Sequence, residues 1–322
     1  MTAPRASGER PTVVVALGGN ALARADEPAT IGNQFRHTRE SLAPIVELAR
    51  DGWRIAIVHG NGPQIGDELV RNETATGLVE PLPLGVLVAG TAGWIGYMIQ
   101  QSLQNALARA GIARPVVTMV TQTEVDPADP QLKVPSKRAG HPLDEATARR
   151  LEARGVPVRM EADGKRWYRL TASPLPIGVV EAPLVRRLVA EDVIVVAAGG
   201  GGPPVFRDPG LGLEGIDAVV DKDRVAAILA RDLGADVLVI LTEADAVYRG
   251  WGTPGAAPIH RMTLAEADAL LASGTLERGS IAPKVEAGAA FVRGGGTRAV
   301  IARLSEGLAA LEGRVGTTIV RE

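Results

Sequence analysis

The stretch Arg54-Ile55-Ala56-Ile57-Val58-His59-Gly60-Asn61-Gly62-Pro63-Gln64-Ile65-Gly66 joins three elements in thirteen residues. Its first five residues form a short apolar, β-rich run. Gly60, Asn61 and Gly62 then break the extended chain, and Pro63 suits the first turn of a helix. A strand that stops at glycines and passes straight into a helix is the repeating unit of a parallel sheet covered by helices.

The same alternation extends in both directions. Strands are predicted at 12–17, 54–58, 116–121, 193–197, 236–241 and 298–301, with 317–320 as a last, edge strand. Helices are predicted at 34–50, 63–76, 87–110, 182–189, 222–233, 264–271 and 284–293, with a kink or break expected at Pro44. The reading is an α/β fold with a mostly parallel central sheet. Residues 124–173 depart from it: they are polar and carry Pro127, Pro130, Pro135, Pro142, Gly155 and Gly164, with Trp167 and Tyr168 near the end. A structureless loop of that length is rare in a compact domain. The segment therefore reads as a small protruding subdomain, lid-like, inserted into a domain spanning 11–322, with residues 1–10 as a mobile tail.

Composition narrows the function. The 322 residues hold no cysteine, which removes disulfides, thiolate metal sites and thiol nucleophiles and fits a reducing, cytoplasmic setting. A formal net charge of -2 without a long basic run gives no footprint for nucleic acid or for an anionic membrane. The uncharged stretch 81–108 is strongly apolar only over 86–99, too short to span a bilayer, so it reads as a buried or subunit-interface helix.

Two strand ends offer cradles for anions. Gly18-Gly19-Asn20 follows the first strand and Gly60-Asn61-Gly62 the second, and in both bare backbone N–H groups can approach a ligand at a helix N-terminus. Gly18-Gly19 alone reads first as a tight turn, and His59 as a packed histidine. Asn61 is more telling, since its amide both donates and accepts toward a carbamoyl or carboxyl group. The run Gly199-Gly200-Gly201-Gly202 is a third site of close backbone approach or a flexible turn. No Walker A string is present.

The lysines carry the strongest signal. Of 35 basic residues only Lys133, Lys137, Lys165, Lys222 and Lys284 are lysines. A chain that uses arginine almost everywhere keeps lysine by chance, or where a compact charge must meet a single phosphoryl oxygen. Lys222, within Asp217-Ala218-Val219-Val220-Asp221-Lys222-Asp223, and Lys284, after Pro283, both sit near predicted helix N-termini, where a cation is disfavoured unless an anion lies opposite.

The strings GGNAL, HGNGPQIG, AAGGGGPPV, VVDKDRVA, LTEADAVY and GSIAPKVEA, in this order, closely resemble the carbamate kinases of the amino-acid-kinase superfamily. The resemblance covers essentially the whole chain after the tail. Related acid kinases place a lysine just ahead of the first glycine pair. Here Ala16 precedes Leu17, as in carbamate kinases, and the lysine of the DKD string, Lys222, takes over that work. The resemblance implies an open three-layer αβα sandwich, a homodimer, and a lid over the carbamoyl phosphate site with Pro135-Ser136-Lys137 matching the family's Pro-Thr-Lys. The lid's Arg138-Ala139-Gly140-His141-Pro142 departs from the family pattern. Magnesium is expected with ADP or ATP, held mainly through nucleotide phosphates, with no metal ligands assigned to the protein.

On this reading the reaction is carbamoyl phosphate plus ADP giving carbamate plus ATP. Lys222, Lys284 and Lys137 balance charge and Asp217 orients the lysines. Gly18, Gly19, Asn20, Gly60, Asn61, Gly62, Gly200 and Gly201 hold substrate. Asp221, Thr242, Glu243, Ala244, Tyr248 and Pro283 border the nucleotide. The rivals are another carboxylate kinase of the superfamily and a metabolite-sensing protein on a retired kinase fold.

Overall fold

The computed structural model describes residues 10–19, 22, 27–161, 164–276 and 280–322. Asn20, Gly279 and residues 1–9 of the expected tail lie outside the described residues. An eight-stranded sheet runs in the order Arg261–Thr263, Thr317–Val320, Arg298–Arg303, Val237–Thr242, Thr12–Leu17, Arg54–His59, Ile194–Val196 and Val116–Thr118. Every neighbouring pair is parallel except Arg298–Arg303 with Thr317–Val320. Helices cover both faces, as a parallel sheet requires.

The alternation of side chains along the central strands divides the core in two. Val14, Ala16, Ala56, Val58, Leu238 and Ile240 pack with Val185, Val225, Leu229, Phe291 and Val292, which come from helices Ala182–Ala190, Lys222–Asp232 and Ile281–Arg293. Val13, Val15, Leu17, Ile55, Ile57 and Val239 pack on the other face with Ile45, Leu48, Ile95, Ile99 and Leu103, from helices Ala43–Arg50 and Leu84–Arg109. The result is the expected three-layer sandwich. The break expected at Pro44 is present: helix Ile31–Ser41 ends, Leu42 intervenes, and Pro44 lies in the first turn of the next helix.

Two expectations about the outer elements change. Thr317–Val320 is not the edge strand, because Arg261–Thr263 pairs beyond it. That strand is three residues long and shows one apolar side chain between two polar ones, too little pattern to read from sequence. A second sheet, in the order Gly212–Gly215, Pro204–Asp208, Thr123–Val125 and Pro176–Val179, takes in the first residues of 124–173. Within that segment Lys137–Leu143, Val158–Met160 and Trp167–Thr171 make their own three-stranded antiparallel sheet, with helix Glu145–Ala153 following the first strand. A cleft of about 580 Å³ separates this piece from helix Gly62–Thr74. His141 Nε2 to Asp67 Oδ1 at 2.9 Å and an ion pair between Arg169 and Glu73 bridge it.

Candidate active site

Chains that were far apart in sequence converge at the carboxyl ends of the central strands, where open α/β sheets bind ligands. Strands Thr12–Leu17 and Arg54–His59 end side by side, and the Gly60 amide donates to Leu17 O at 2.8 Å. Gly18 N likewise donates to Leu241 O at 3.0 Å. The amides of Gly18 and Gly60, expected to meet substrate, are thus spent continuing the sheet. The N–H groups of Gly19, Asn61 and Gly62 remain as the donors of the cradle, the last at the start of helix Gly62–Thr74, where first-turn amides have no partner inside the helix.

Glycine is obligatory at two of these positions for steric reasons. A Cβ on Gly60 would stand 2.8 Å from Gly19 N and 3.1 Å from both Cδ and Cε of Lys222, so the two turns and the lysine stem touch there. Gly200, at φ +67°, lies against the Asn61 amide, and a Cβ on it would come within 2.1 Å of Asn61 Nδ2. The four-glycine run is therefore a wall of the site. It is fixed from behind by Thr123 Oγ1 donating to Gly201 O at 2.6 Å and by Ala198 N donating to Thr121 Oγ1 at 2.9 Å. Gly201 N itself bonds to Ala198 O, so Gly201 shapes the wall. Asn61 is buried and donates its Nδ2 to Thr91 Oγ1 at 2.9 Å, which orients the amide.

The lysines meet around two aspartates. Lys222 Nζ donates to Asp223 Oδ1 at 2.5 Å and Lys284 Nζ to Asp223 Oδ2 at 3.1 Å, so one carboxylate holds both ammonium groups. Lys284 also donates to Ser280 O at 3.2 Å. Lys137, 84 positions from Asp221 in sequence, crosses from the three-stranded sheet to donate to Asp221 Oδ2 at 2.8 Å. Asp221 caps helix Lys222–Asp232 through its other oxygen, accepting from the amides of Asp223 and Arg224. Burial pushes the Asp221 carboxyl up, but Lys137, Lys222 and the Asp223 amide outweigh it and hold the group well below the usual carboxylate range. Burial and the neighbouring Lys222 charge lower Lys284, against the pull of Asp223 and Asp221.

Asp217 stands elsewhere. It accepts from Leu84 N at 2.9 Å, at the start of helix Leu84–Arg109, and faces the half-buried Arg169. The carboxylate that orients the two lysines is Asp223, one of three acids in the same short string, and sequence spacing could not choose among them. Asp221, expected at the nucleotide, holds Lys137. Pro283 lies in the first turn of helix Ile281–Arg293, which begins three residues ahead of the predicted start.

His59 is fully buried. Its Nδ1 donates to Gly60 O at 3.0 Å, and the ring packs so closely on Gly199 that a Cβ there would stand 2.5 Å from Nε2. Burial above all, with the Lys222 charge adding to it against backbone carbonyls, drives its pKa to about 4. His59 is therefore held neutral among its neighbours at ordinary pH.

Beyond the lysines, strand Val237–Thr242 delivers Thr242, Glu243 and Ala244 to the same edge. Tyr248 follows and donates its hydroxyl to Asp245 Oδ2 at 3.0 Å, a bond that raises the phenol's pKa. Arg303, closing the neighbouring strand, donates Nε to Glu243 O at 3.5 Å. Trp251 packs edge-on against Tyr248 with ring centroids 5.1 Å apart. No motif drew attention to Trp251 in the sequence.

A cradle of amides with a lysine cluster and a polar shelf beside it is an arrangement suited to phosphorylated ligands, and known proteins resemble this chain over nearly all of its length. A model of the Amino acid kinase family matches residues 11–303. The chain belongs to the amino acid kinase family. Within this family it is similar to carbamate kinase of Pyrococcus horikoshii, 40% identical over 309 residues that span 95% of this chain and 98% of that protein. Carbamate kinase of Escherichia coli K12 is 43% identical over 308 residues, 96% of this chain and 99% of its own. Among solved structures of amino acid kinases, carbamate kinase from Giardia lamblia bound to AMP-PNP superimposes with a TM-score of 0.89 at 34% identity, covering 97% of this chain and 99% of that one.

Proposed function

We propose that this amino acid kinase catalyses the reversible transfer of a phosphoryl group between carbamoyl phosphate and ADP, running toward ATP in a catabolic setting in the cytoplasm. The observation that carries the reading is the meeting of Lys137, Lys222 and Lys284, from three distant segments, around Asp221 and Asp223 beside the glycine cradle. Phosphoryl transfer demands alignment and charge neutralisation more than covalent chemistry. An oxygen of the ADP β-phosphate attacks phosphorus, the bond from phosphorus to the carbamoyl oxygen breaks, and carbamate leaves with the electron pair. Lys222 and Lys284 meet the charge spread over the transferring group, with Asp223 holding them in place. The amides of Gly19, Asn61 and Gly62 and the amide side chain of Asn61 hold the carbamoyl end, with Asn20 beside them in sequence. Thr242, Glu243, Ala244 and Tyr248 border the nucleotide.

Magnesium fits this donor set as a companion of the nucleotide. Among the described residues no group of three or more His, Asp or Glu is arranged to hold a metal ion. Asp221 and Asp223 are engaged with ammonium and amide groups. The nucleotide's own phosphates would carry the ion, which supplies further neutralisation of charge there.

The piece Lys137–Thr171 acts as the lid. Lys137 reaches the site from it, and closure would exclude water from a labile acyl phosphate. A homodimer would cover the exposed side of helix Leu84–Arg109, where Val86 and Tyr97 are half exposed next to Leu82. Among the described residues no helix is long and apolar enough to cross a membrane. Light scattering at low micromolar protein is expected to give twice the chain mass, and a stable monomer would reject the dimer.

Coupled ATP formation from ADP and magnesium, with carbamoyl phosphate compared against a panel of acyl phosphates, tests the central reading. Preference for carbamoyl phosphate is the expected outcome. A faster reaction with another acyl phosphate would make this a different acid kinase, and no turnover with any of them would leave a sensor on the kinase fold.

A further inference from the structure

We propose that Trp251 is the stacking face for the nucleotide base and sets a preference for purine over pyrimidine diphosphates. This rests on the nucleotide reading of the shelf formed by Thr242, Glu243 and Tyr248. Trp251 belongs to the turn between strands Val247–Arg249 and Ala257–Ile259, an antiparallel ribbon standing at the carboxyl edge of the main sheet. Gly250 and Gly252, at φ +64° and +80°, bracket it, so the backbone reverses on either side and presents the indole at the tip. The turn is closed by its own bonds, with Thr253 N and Oγ1 both donating to Gly250 O. The tip is thus a fixed platform.

The indole is nonetheless 68% exposed. A tryptophan placed in a core buries a large apolar surface, and this chain has only four to place. Among the described residues its ring neighbour is Tyr248, in an edge-on contact that leaves an indole face free. Tyr248 is tethered in turn by Asp245, and Arg303 lies close enough to act on the phenol electrostatically. Thr242 and Glu243 at the end of strand Val237–Thr242, and Tyr248 after them, thus offer polar groups suited to ribose at the carboxyl edge of the sheet, and Trp251 adds an open aromatic face beside Tyr248. A nucleotide with its phosphates at Lys222 and Lys284 would extend its base along this edge. Stacking favours any base but rewards the larger purine surface most, because the contact scales with overlapping π area.

The experiment is calorimetric binding of ADP, GDP and CDP to the full-length protein and to Trp251→Ala and Trp251→Phe, with steady-state kinetics alongside. Trp251→Ala is expected to weaken ADP about ten-fold or more and to pull the ADP-to-CDP affinity ratio toward one, while Trp251→Phe keeps most of both. Because the indole is exposed, its removal leaves no cavity, and Tm is expected to be unchanged. ADP affinity and base ratio both within two-fold of wild type in Trp251→Ala would overturn the inference. So would a variant that changes the oligomer mass but not nucleotide binding. If wild type binds ADP but makes no ATP from carbamoyl phosphate, the carbamate reading fails while the stacking inference is still decided by the base ratios. Wild type that does not bind ADP would overturn both.

Discussion

Two charge clusters sit at opposite edges of the same sheet, and they are built differently. At the N-terminal edge, Arg114 is nearly buried between the starts of three strands. Its Nη1 donates to Trp53 O at 2.7 Å, its Nε to Asp192 O at 3.2 Å, and its Nη2 pairs with Asp192 Oδ1 at 2.8 Å, while Arg10 takes the other oxygen of Asp192. All three guanidinium nitrogens of Arg114 are engaged, and the planar fork suits that closed geometry. At the carboxyl edge, each ammonium carries three donors. Lys222 and Lys137 each spend one on a carboxylate, and Lys284 spends one on Asp223 and one on Ser280 O. Three cations share two carboxylates there, beside bare glycine backbone. The arginine knot is closed in the protein on two backbone carbonyls and one carboxylate, whereas the lysine cluster holds its ammonium groups beside bare glycine backbone, where a ligand can reach them.

Breaking each cluster should therefore have opposite consequences. The largest effect is expected at the arginine knot. Asp192→Ala leaves the Arg114 charge buried without its carboxylate, which should cost on the order of 3–5 kcal/mol of stability in denaturant unfolding. The kcat of the molecules that remain folded should be near normal, since the knot lies a strand's length from the site. A large loss of turnover at unchanged stability would erase the distinction.

Acid sharpens the contrast next. The folded pKa of His59, about 4, lies below its ordinary 6.5, so the unfolded chain binds the extra proton first. Its contribution is fully present above pH 6.5 and is lost as pH falls from 6.5 toward 4, up to about 3 kcal/mol. Asp221 does not blur this window, because its contribution is lost only below its ordinary value of 3.8. Unfolding free energies measured at pH 7 and pH 4.5 should show the drop in wild type and a flatter profile in His59→Gln. Equal slopes in the two proteins would mean that the buried imidazole is not the acid-labile group.

At the lysine cluster the effect should fall on rate. Lys222→Ala or Lys284→Ala is expected to lower kcat by about 10² or more, roughly 2.7 kcal/mol of transition-state stabilisation, with Tm little changed. Asp223→Asn should follow in the same direction, because it loosens both ammonium groups together, whereas Asp217→Asn should spare kcat. The smallest effect belongs to the lid. Lys137→Ala should raise the carbamoyl phosphate KM several-fold while leaving ADP binding within two-fold, and hydrogen exchange of Lys137–Thr171 should slow on adding substrate. Equal exchange with and without substrate would make that piece a static decoration.

Much of this was legible before any coordinates. The central strands announced themselves because a buried parallel strand has apolar side chains on both faces, as in Val13-Val14-Val15-Ala16-Leu17. The outer strands Thr123–Val125, Gly212–Gly215 and Arg261–Thr263 are short and mixed in polarity, so their pairing with distant partners left no local pattern. The site divides in the same way. Lys222 and Lys284 stood out because a cation near a helix N-terminus opposes the dipole, and that conflict is written in the sequence. The choice of Asp223 over Asp217 was not, since it depends on which carboxylate the first turn of helix Lys222–Asp232 aims at Lys284, 61 residues further along the chain. Trp251 was silent for the same reason: a lone aromatic in a glycine-rich turn gains meaning only from what the ribbon places beside it.

The contrast between a filled arginine knot and an open lysine cluster is tested most directly by changing the shape of the cation while keeping its charge. The decisive quantity is kcat for ATP formation from carbamoyl phosphate and ADP by Lys284→Arg, beside wild type at equal Tm. A guanidinium fork cannot hold Asp223 and Ser280 O and still aim a compact charge at the transferring group, so a fall of about 10² is predicted. Near-normal turnover in Lys284→Arg would contradict the account, since any cation would then serve at that position.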